Sequence, residues 1–254
     1  MIRVIILGAG NVAKHLYTAF YDHKSVEVVQ CYNRKGLRLH PNQKEITITQ
    51  NINSLKEADV YILAVSDDAI EEVSNLLPFK NKFIVHTSGS VPMHILNSDN
   101  QRGVFYPLQT FSEDKAVDFT SVPFCLEAEN AVSMNTLQKL SSMLSEKVYH
   151  ISSEQRNVLH VSAVFVNNFA NYLFSTGNDI CNEYDVPFEI LHPLIQETAQ
   201  KITEMNPDLA QTGPAIRNDI KTIKRHLKIL TNNTQKEIYK TLTRGIQSKY
   251  GKKL

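Results

Sequence analysis

Ile2-Arg3-Val4-Ile5-Ile6-Leu7-Gly8-Ala9-Gly10-Asn11-Val12-Ala13 is the stretch that decides the fold. Its mostly β-branched apolar run predicts a buried strand ending at Gly8, and Val12, Leu16, Ala19 and Phe20 then recur at helical spacing. The turn between them matches G-x-G-x-x-G/A. In that pattern the first glycine permits the tight turn, the second lets a pyrophosphate approach the backbone, and the small third residue allows close helix packing. Two of only 9 glycines in the chain fall here. A strand before the turn, a helix after it and a second strand at about 26–32 favour a dinucleotide site with phosphates on a helix N-terminus over a purely structural turn. Gly8, Gly10, Asn11 and Val12 are its candidate contacts.

Outward from the turn, short apolar runs at 59–65 and 82–87 predict further strands, each followed by a helical pattern, at Ala69 to Leu77 and Met93 to Leu96. Weaker strand signals follow around Val104-Phe105, at 122–126 and near Val148 to Ile151, with a helix at about 130–145. Strands alternating with helices predict an α/β fold, a Rossmann-type doubly wound parallel sheet. From Ser152 the pattern is helical throughout, at about 153–184, 187–205, 215–230 and 234–248. The expected organisation is a dinucleotide-binding domain over 1–151 and an all-helical substrate and dimerisation domain over 152–254.

At 254 residues, with 42% hydrophobic and 21% charged side chains, the chain can bury a sizeable core. Its net charge of +1 argues against a dedicated nucleic-acid binder. The charge is uneven, with 11 Lys and Arg against 2 Asp and Glu from residue 215 onward, and 16 against 24 before it. A solvated helix face and a basic tail at Lys252-Lys253 account for this, or else the charge serves an anionic ligand or an acidic partner surface. Cys31, Cys125 and Cys181 are odd in number and far apart, which fits neither a disulfide framework nor a metal knuckle and points to a reducing compartment. The apolar runs are too short for a signal peptide or a membrane span, so a cytoplasmic location and no membrane partner are expected.

The residues closing the second strand select the nucleotide. An NAD site needs Asp or Glu there to accept from the ribose hydroxyls. Here the chain reads Tyr32-Asn33-Arg34-Lys35, and cations without a carboxylate favour a 2′-phosphate and hence NADP(H). A plain exposed basic turn is the alternative.

The fingerprint turn, the segment Ala58-Asp59-Val60-Tyr61-Ile62-Leu63-Ala64-Val65-Ser66-Asp67-Asp68-Ala69-Ile70, and His86-Thr87-Ser88-Gly89-Ser90 resemble the NADP-dependent branch of the 6-phosphogluconate-dehydrogenase-like superfamily. That branch includes pyrroline-5-carboxylate reductase, prephenate dehydrogenase and the β-hydroxyacid dehydrogenases. Three further segments look closest to a less characterised family of NADP oxidoreductases, with a Rossmann-like domain followed by a helical one. They are Tyr106-Pro107-Leu108-Gln109-Thr110-Phe111, residues 160–169 and Thr212-Gly213-Pro214-Ala215-Ile216-Arg217-Asn218-Asp219. The resemblance implies that fold, an NADP(H) cofactor against which Val65 and Ser66 also stand, and a homodimer built on the helical domain. Two departures stand out: Val164, four before Asn168, replaces the lysine of the β-hydroxyacid dehydrogenases, and Tyr106 stands where many relatives carry His.

On the helix opened by Ser153, His160 shares a face with Asn167, Asn168, Asn171 and Ser175, a polar stripe on an otherwise apolar and therefore central helix. Either His160 is a core histidine with its hydrogen bonds satisfied, or it is a proton donor, with Asn168 orienting a substrate carbonyl. Ser88, after the strand at 82–87, either meets the nicotinamide amide or substrate oxygen or caps a helix. Arg217, in the first turn of an expected helix, is unfavourable for the helix dipole, so it either grips a substrate carboxylate or pairs with Asp219 or with another helix. No spacing suggests a metal site. The expectation is hydride transfer between NADP(H) and a small carbonyl or imino acid, preferably a 2-oxo acid such as ketopantoate. The alternatives are a pyrroline-carboxylate-like or prephenate-like substrate, or a non-catalytic NADP-binding sensor or scaffold.

Overall fold

A computed structural model describes residues 1–21, 23–40 and 47–251; the tail lysines Lys252-Lys253 lie outside the described residues. In order, the chain forms β1 (Ile2–Leu7), α1 (Asn11–Tyr21), β2 (Val26–Tyr32), β3 (Ile48–Thr49), β4 (Val60–Leu63), α2 (Ile70–Asn75), β5 (Phe83–His86), β6 (Gln101–Pro107), β7 (Phe124–Ala128), α3 (Ala131–Ser142) and β8 (Val148–His150). Helices follow: α4 (Ser153–Ala163), a π-helical turn (Val164–Phe169), α5 (Ala170–Glu183), α6 (His192–Glu204), the short α7 (Pro207–Ala210), α8 (Ile220–Ile229) and α9 (Asn233–Tyr250).

The sheet runs β3-β2-β1-β4-β5-β6-β7-β8. Its alternate residues face two cores, which is why the strands read as nearly continuous apolar runs. Val4, Ile6, Val28, Ile62, Val85 and Phe105 pack under α1 and α3 through Leu16, Phe20, Leu137 and Leu140. Ile5, Leu7, Val29, Tyr61, Leu63 and Ile84 pack on the other face with Ile70, Leu77 and Leu96.

Two expectations are corrected. The sheet is not wholly parallel: β7 runs antiparallel to β6. The link between them, residues 108–123, holds only a 3-10 turn at Phe119–Ser121, and without a crossover helix the chain returns antiparallel. The helix expected at Met93 to Leu96 is likewise a single 3-10 turn, Met93–Ile95, cut short by Asn97-Ser98-Asp99-Asn100.

The chain divides into two compact units, Met1–Ala163 and Val164–Leu254. Strands give way to helices after His150, as the sequence pattern has it, but α4 belongs with the sheet. Arg156, 1% exposed, ties it there: Nη1 meets Glu127 of β7 at 2.5 Å and Nη2 donates to the Val91 carbonyl at 2.6 Å. Ser153 Oγ also accepts from the Met93 amide at 3.0 Å.

Candidate functional site

A cleft of about 730 Å3 opens at the carboxyl ends of the parallel strands, lined among others by Gly8, Gly10, Asn11, Val12, Asn33, Arg34, Lys35, Val65 and Ser66. Of the residues expected at the cofactor, only Ser88 is not on its wall. Gly8 has φ +136°, and a Cβ there would stand 2.0 Å from the Ala64 carbonyl oxygen, so only glycine lets β1 turn this close to β4. A Cβ on Gly10 would meet nothing within 4 Å, leaving an open cradle above the turn. No acidic side chain occupies the first turn of α1, whose leading amides have no intrahelical acceptor.

Sequence reasoning missed the apolar sides of the cleft. Ala69, Glu72, Val73 and Leu76 line it at helical spacing from the α2 region, and Leu37, Gln109 and Phe111 add to the wall. The spacing of the first four was visible in the sequence; that it faced a cleft was not. Asn11 Nδ2 donates to the Phe111 carbonyl at 2.9 Å and so holds the segment after β6 against α1. Asn33 is buried, donating to the Leu37 carbonyl and accepting from the Leu37 amide, so its side chain shapes the turn that presents Arg34 and Lys35. Both cations are exposed, and among the described residues neither has an ion-pair partner.

Beyond Ser66, the same sheet edge carries a second cluster. Tyr106, near the end of β6, places Oη 3.4 Å from His160 Nδ1 of α4. A Cβ on Gly89 would stand 2.6 Å from that nitrogen and 2.8 Å from that oxygen, so the loop after β5 touches both through bare backbone. Burial pushes the Tyr106 phenol up to about 12. Ser88 is buried, and its Oγ accepts from the Ser90 and Val91 amides; it shapes the loop. Ser90 Oγ donates to Asp67, beside Ser66, at 2.5 Å. His86 Nδ1 accepts from the Ser88 amide, and burial, with the Arg156 charge adding to it, pushes this histidine down to about 3.

The structure does not gather every candidate. The stripe drawn from His160 through Asn167, Asn168, Asn171 and Ser175 assumed an unbroken α-helix, but the π turn changes the register after Ala163. Nor is this helix central in the single chain: Asn167, Asn168 and Asn171 are exposed, and so are Phe165, Val166 and Phe169. Arg217 is not in a helical turn. It is exposed in the turn before α8, whose N-cap is Asp219, so the dipole argument for it falls away. Its charge instead helps hold the Asp219 carboxyl below its usual range, after the larger effect of that carboxylate's hydrogen bonds to Thr222. Among the described residues no group of His, Cys, Asp or Glu could hold a metal ion, and no helix is long and apolar enough to cross a membrane.

A family model described as NADP oxidoreductase coenzyme F420-dependent matches residues 3–89, and one described as a domain of unknown function, DUF2520, matches residues 122–246. The crystal structure of a "putative NADP oxidoreductase" from Bacteroides fragilis is 36% identical, covering 97% of this chain and 98% of that one, with a TM-score of 0.88. The chain belongs to this NADP oxidoreductase family. It is an NADP-dependent oxidoreductase, and the open glycine cradle and the exposed cations Arg34 and Lys35 after β2 fit that cofactor. A Thermotoga maritima protein shares the fold at 20% identity (96% and 97% of the two chains, TM-score 0.73). So does a reductive aminase from Aspergillus terreus solved with NADPH and ethyl levulinate, at 13% identity (99% and 95%, TM-score 0.72). Among curated proteins nothing matches.

Proposed function

We propose that this oxidoreductase reduces a small carbonyl compound or imine with NADPH. One observation carries the reading: the cofactor cleft and the Tyr106–His160 pair lie along one sheet edge, from β2 to β6. Four strand spacings of about 4.8 Å separate those strands, roughly 19 Å, so one end serves the adenosine and the other the chemistry. Arg34 and Lys35 grip the 2′-phosphate, Leu37 and the Val73 and Leu76 side chains flank the adenine, and the start of α1 takes the pyrophosphate. When bound, NADPH supplies the hydride. His160 supplies the proton; Asn168 and Arg217, exposed on the helical unit, stay candidates for orienting a carbonyl and holding a carboxylate. Nothing singles out ketopantoate: Arg156, the buried cation one turn from His160, is taken by Glu127. The reductive aminase with its bound ester makes imines as reasonable a class as 2-oxo acids.

We further infer a homodimer through the helical unit, supported by the exposure of Phe165 (64%), Val166 (73%) and Leu194 (62%) in the single chain. The odd number and wide spacing of the three cysteines favour a reducing, cytoplasmic setting.

The test is NADPH oxidation by the purified protein over a panel of 2-oxo acids, aldehydes and cyclic imines. With a panel substrate, His160→Ala should lower turnover about 10²-fold with NADPH affinity nearly unchanged. Arg34→Ala should erase a preference for NADPH over NADH of about tenfold to hundredfold. Tight NADPH binding without turnover on any member would leave the sensor reading in its place.

A further inference from the structure

Three segments converge on one point at the carboxyl edge: the loop after β5 at Gly89, β6 at Tyr106 and α4 at His160. The approach is so close that any side chain at position 89 would overlap both rings. One guanidinium holds the arrangement, because Arg156 ties the Val91 carbonyl of the loop and Glu127 of β7 to the helix turn that carries His160. Ser88 and the Ser90 contact to Asp67 fix the loop from its other side. The rings meet edge to face, with centroids 6.4 Å apart. Yet the Oη to Nδ1 contact, at 3.4 Å, is too long to contribute much to stability, and long contacts of this kind in unliganded sites tighten when substrate binds. So much restraint around so weak a bond is what a proton path requires.

Resting on the reductase reading, we propose that Tyr106 Oη hands the proton to the substrate, with His160 Nδ1 acting through it as the proton source. As the carbonyl or imine carbon takes the hydride from NADPH, which leaves as NADP+, the π electron pair moves onto the oxygen or nitrogen. That atom bonds the Tyr106 proton. The tyrosinate then takes the Nδ1 proton of the His160 imidazolium, and the half-buried imidazole regains its proton from water. Burial keeps the phenol protonated at working pH, so the donor is always loaded and the histidine serves to reload it.

The experiment has two arms. In the first, Tyr106→Phe is assayed on a panel substrate; turnover should fall about 10²-fold with the Michaelis constant, NADPH affinity and melting temperature close to wild type. Activity within about twofold of wild type overturns the proposal. The second arm needs no substrate. Trifluorotyrosine, whose phenol ionises near neutral pH, is placed at position 106 and titrated by fluorine NMR with and without NADP+. If Tyr106 Oη stands at the reacting end, the cationic nicotinamide should favour the phenolate and move the titration down by about one unit, a tenfold change. His160→Gln should move it as well. A titration that ignores NADP+ overturns the proposal. Should no panel member be reduced, the reductase reading fails by itself, and the second arm still decides whether Tyr106 faces the cofactor's reactive end.

Discussion

The two compact units treat their apolar side chains in opposite ways. Met1–Ala163 buries them in two cores, one on each face of the sheet. In Val164–Leu254 only Ala215, Ile223 and Leu230 are buried hydrophobic residues among those described, while Phe165, Phe169, Tyr172, Leu173, Ile190 and Leu194 stand exposed. A sheet covered on both faces is finished as a fold. The homodimer proposed above would give the exposed helices the second surface that the sheet unit does not need.

The largest effect should come from breaking the apolar side of this contrast. Wild type should scatter light as twice 28.8 kDa, and Phe165→Asp with Phe169→Asp should leave a monomer with reduced helical circular dichroism while NADPH binding survives. A monodisperse wild-type monomer at micromolar concentration would end the comparison.

Next in size is the joint between α4 and the sheet. Arg156→Met leaves Glu127, largely buried, without its partner, which should cost about 3–5 kcal/mol in denaturant unfolding. Adding Glu127→Leu should recover most of that, because replacing both charges removes the uncompensated one. A single-variant loss below about 1 kcal/mol would mean α4 is not anchored to the sheet by this pair.

The smallest expected effect is a pH slope. His86 has its folded value pushed down to about 3 from 6.5, so the unfolded chain takes up the proton first. The stability this histidine contributes is present above 6.5 and lost as pH falls below it, by up to about 1.4 kcal/mol per pH unit. His86→Gln should flatten that slope in thermal unfolding between pH 6.5 and 4.5. Equal slopes in the two proteins would show that the buried histidine is not what couples the sheet unit to pH.

The sequence by itself determined β1, the glycine turn, α1 and β2, because these depend on neighbours in the chain: apolar alternation, a glycine that must adopt φ +136°, a helix that starts behind it. The cleft wall at the end of β2 was legible in the same way, from Asn33-Arg34-Lys35. Two-residue β3, the 3-10 turn in place of a helix after Pro92 and the π turn at Val164–Phe169 leave no periodic trace long enough to read. The Tyr106–His160 cluster was decided only in three dimensions. Tyr106 and His160 are 54 residues apart, and no local pattern says that a buried Arg156, paired with Glu127 29 residues earlier, will swing α4 onto the sheet and set those rings against Gly89. Local backbone preference speaks through adjacent residues, whereas such a site is made by burial and ion pairing between segments that meet only after the sheet has formed.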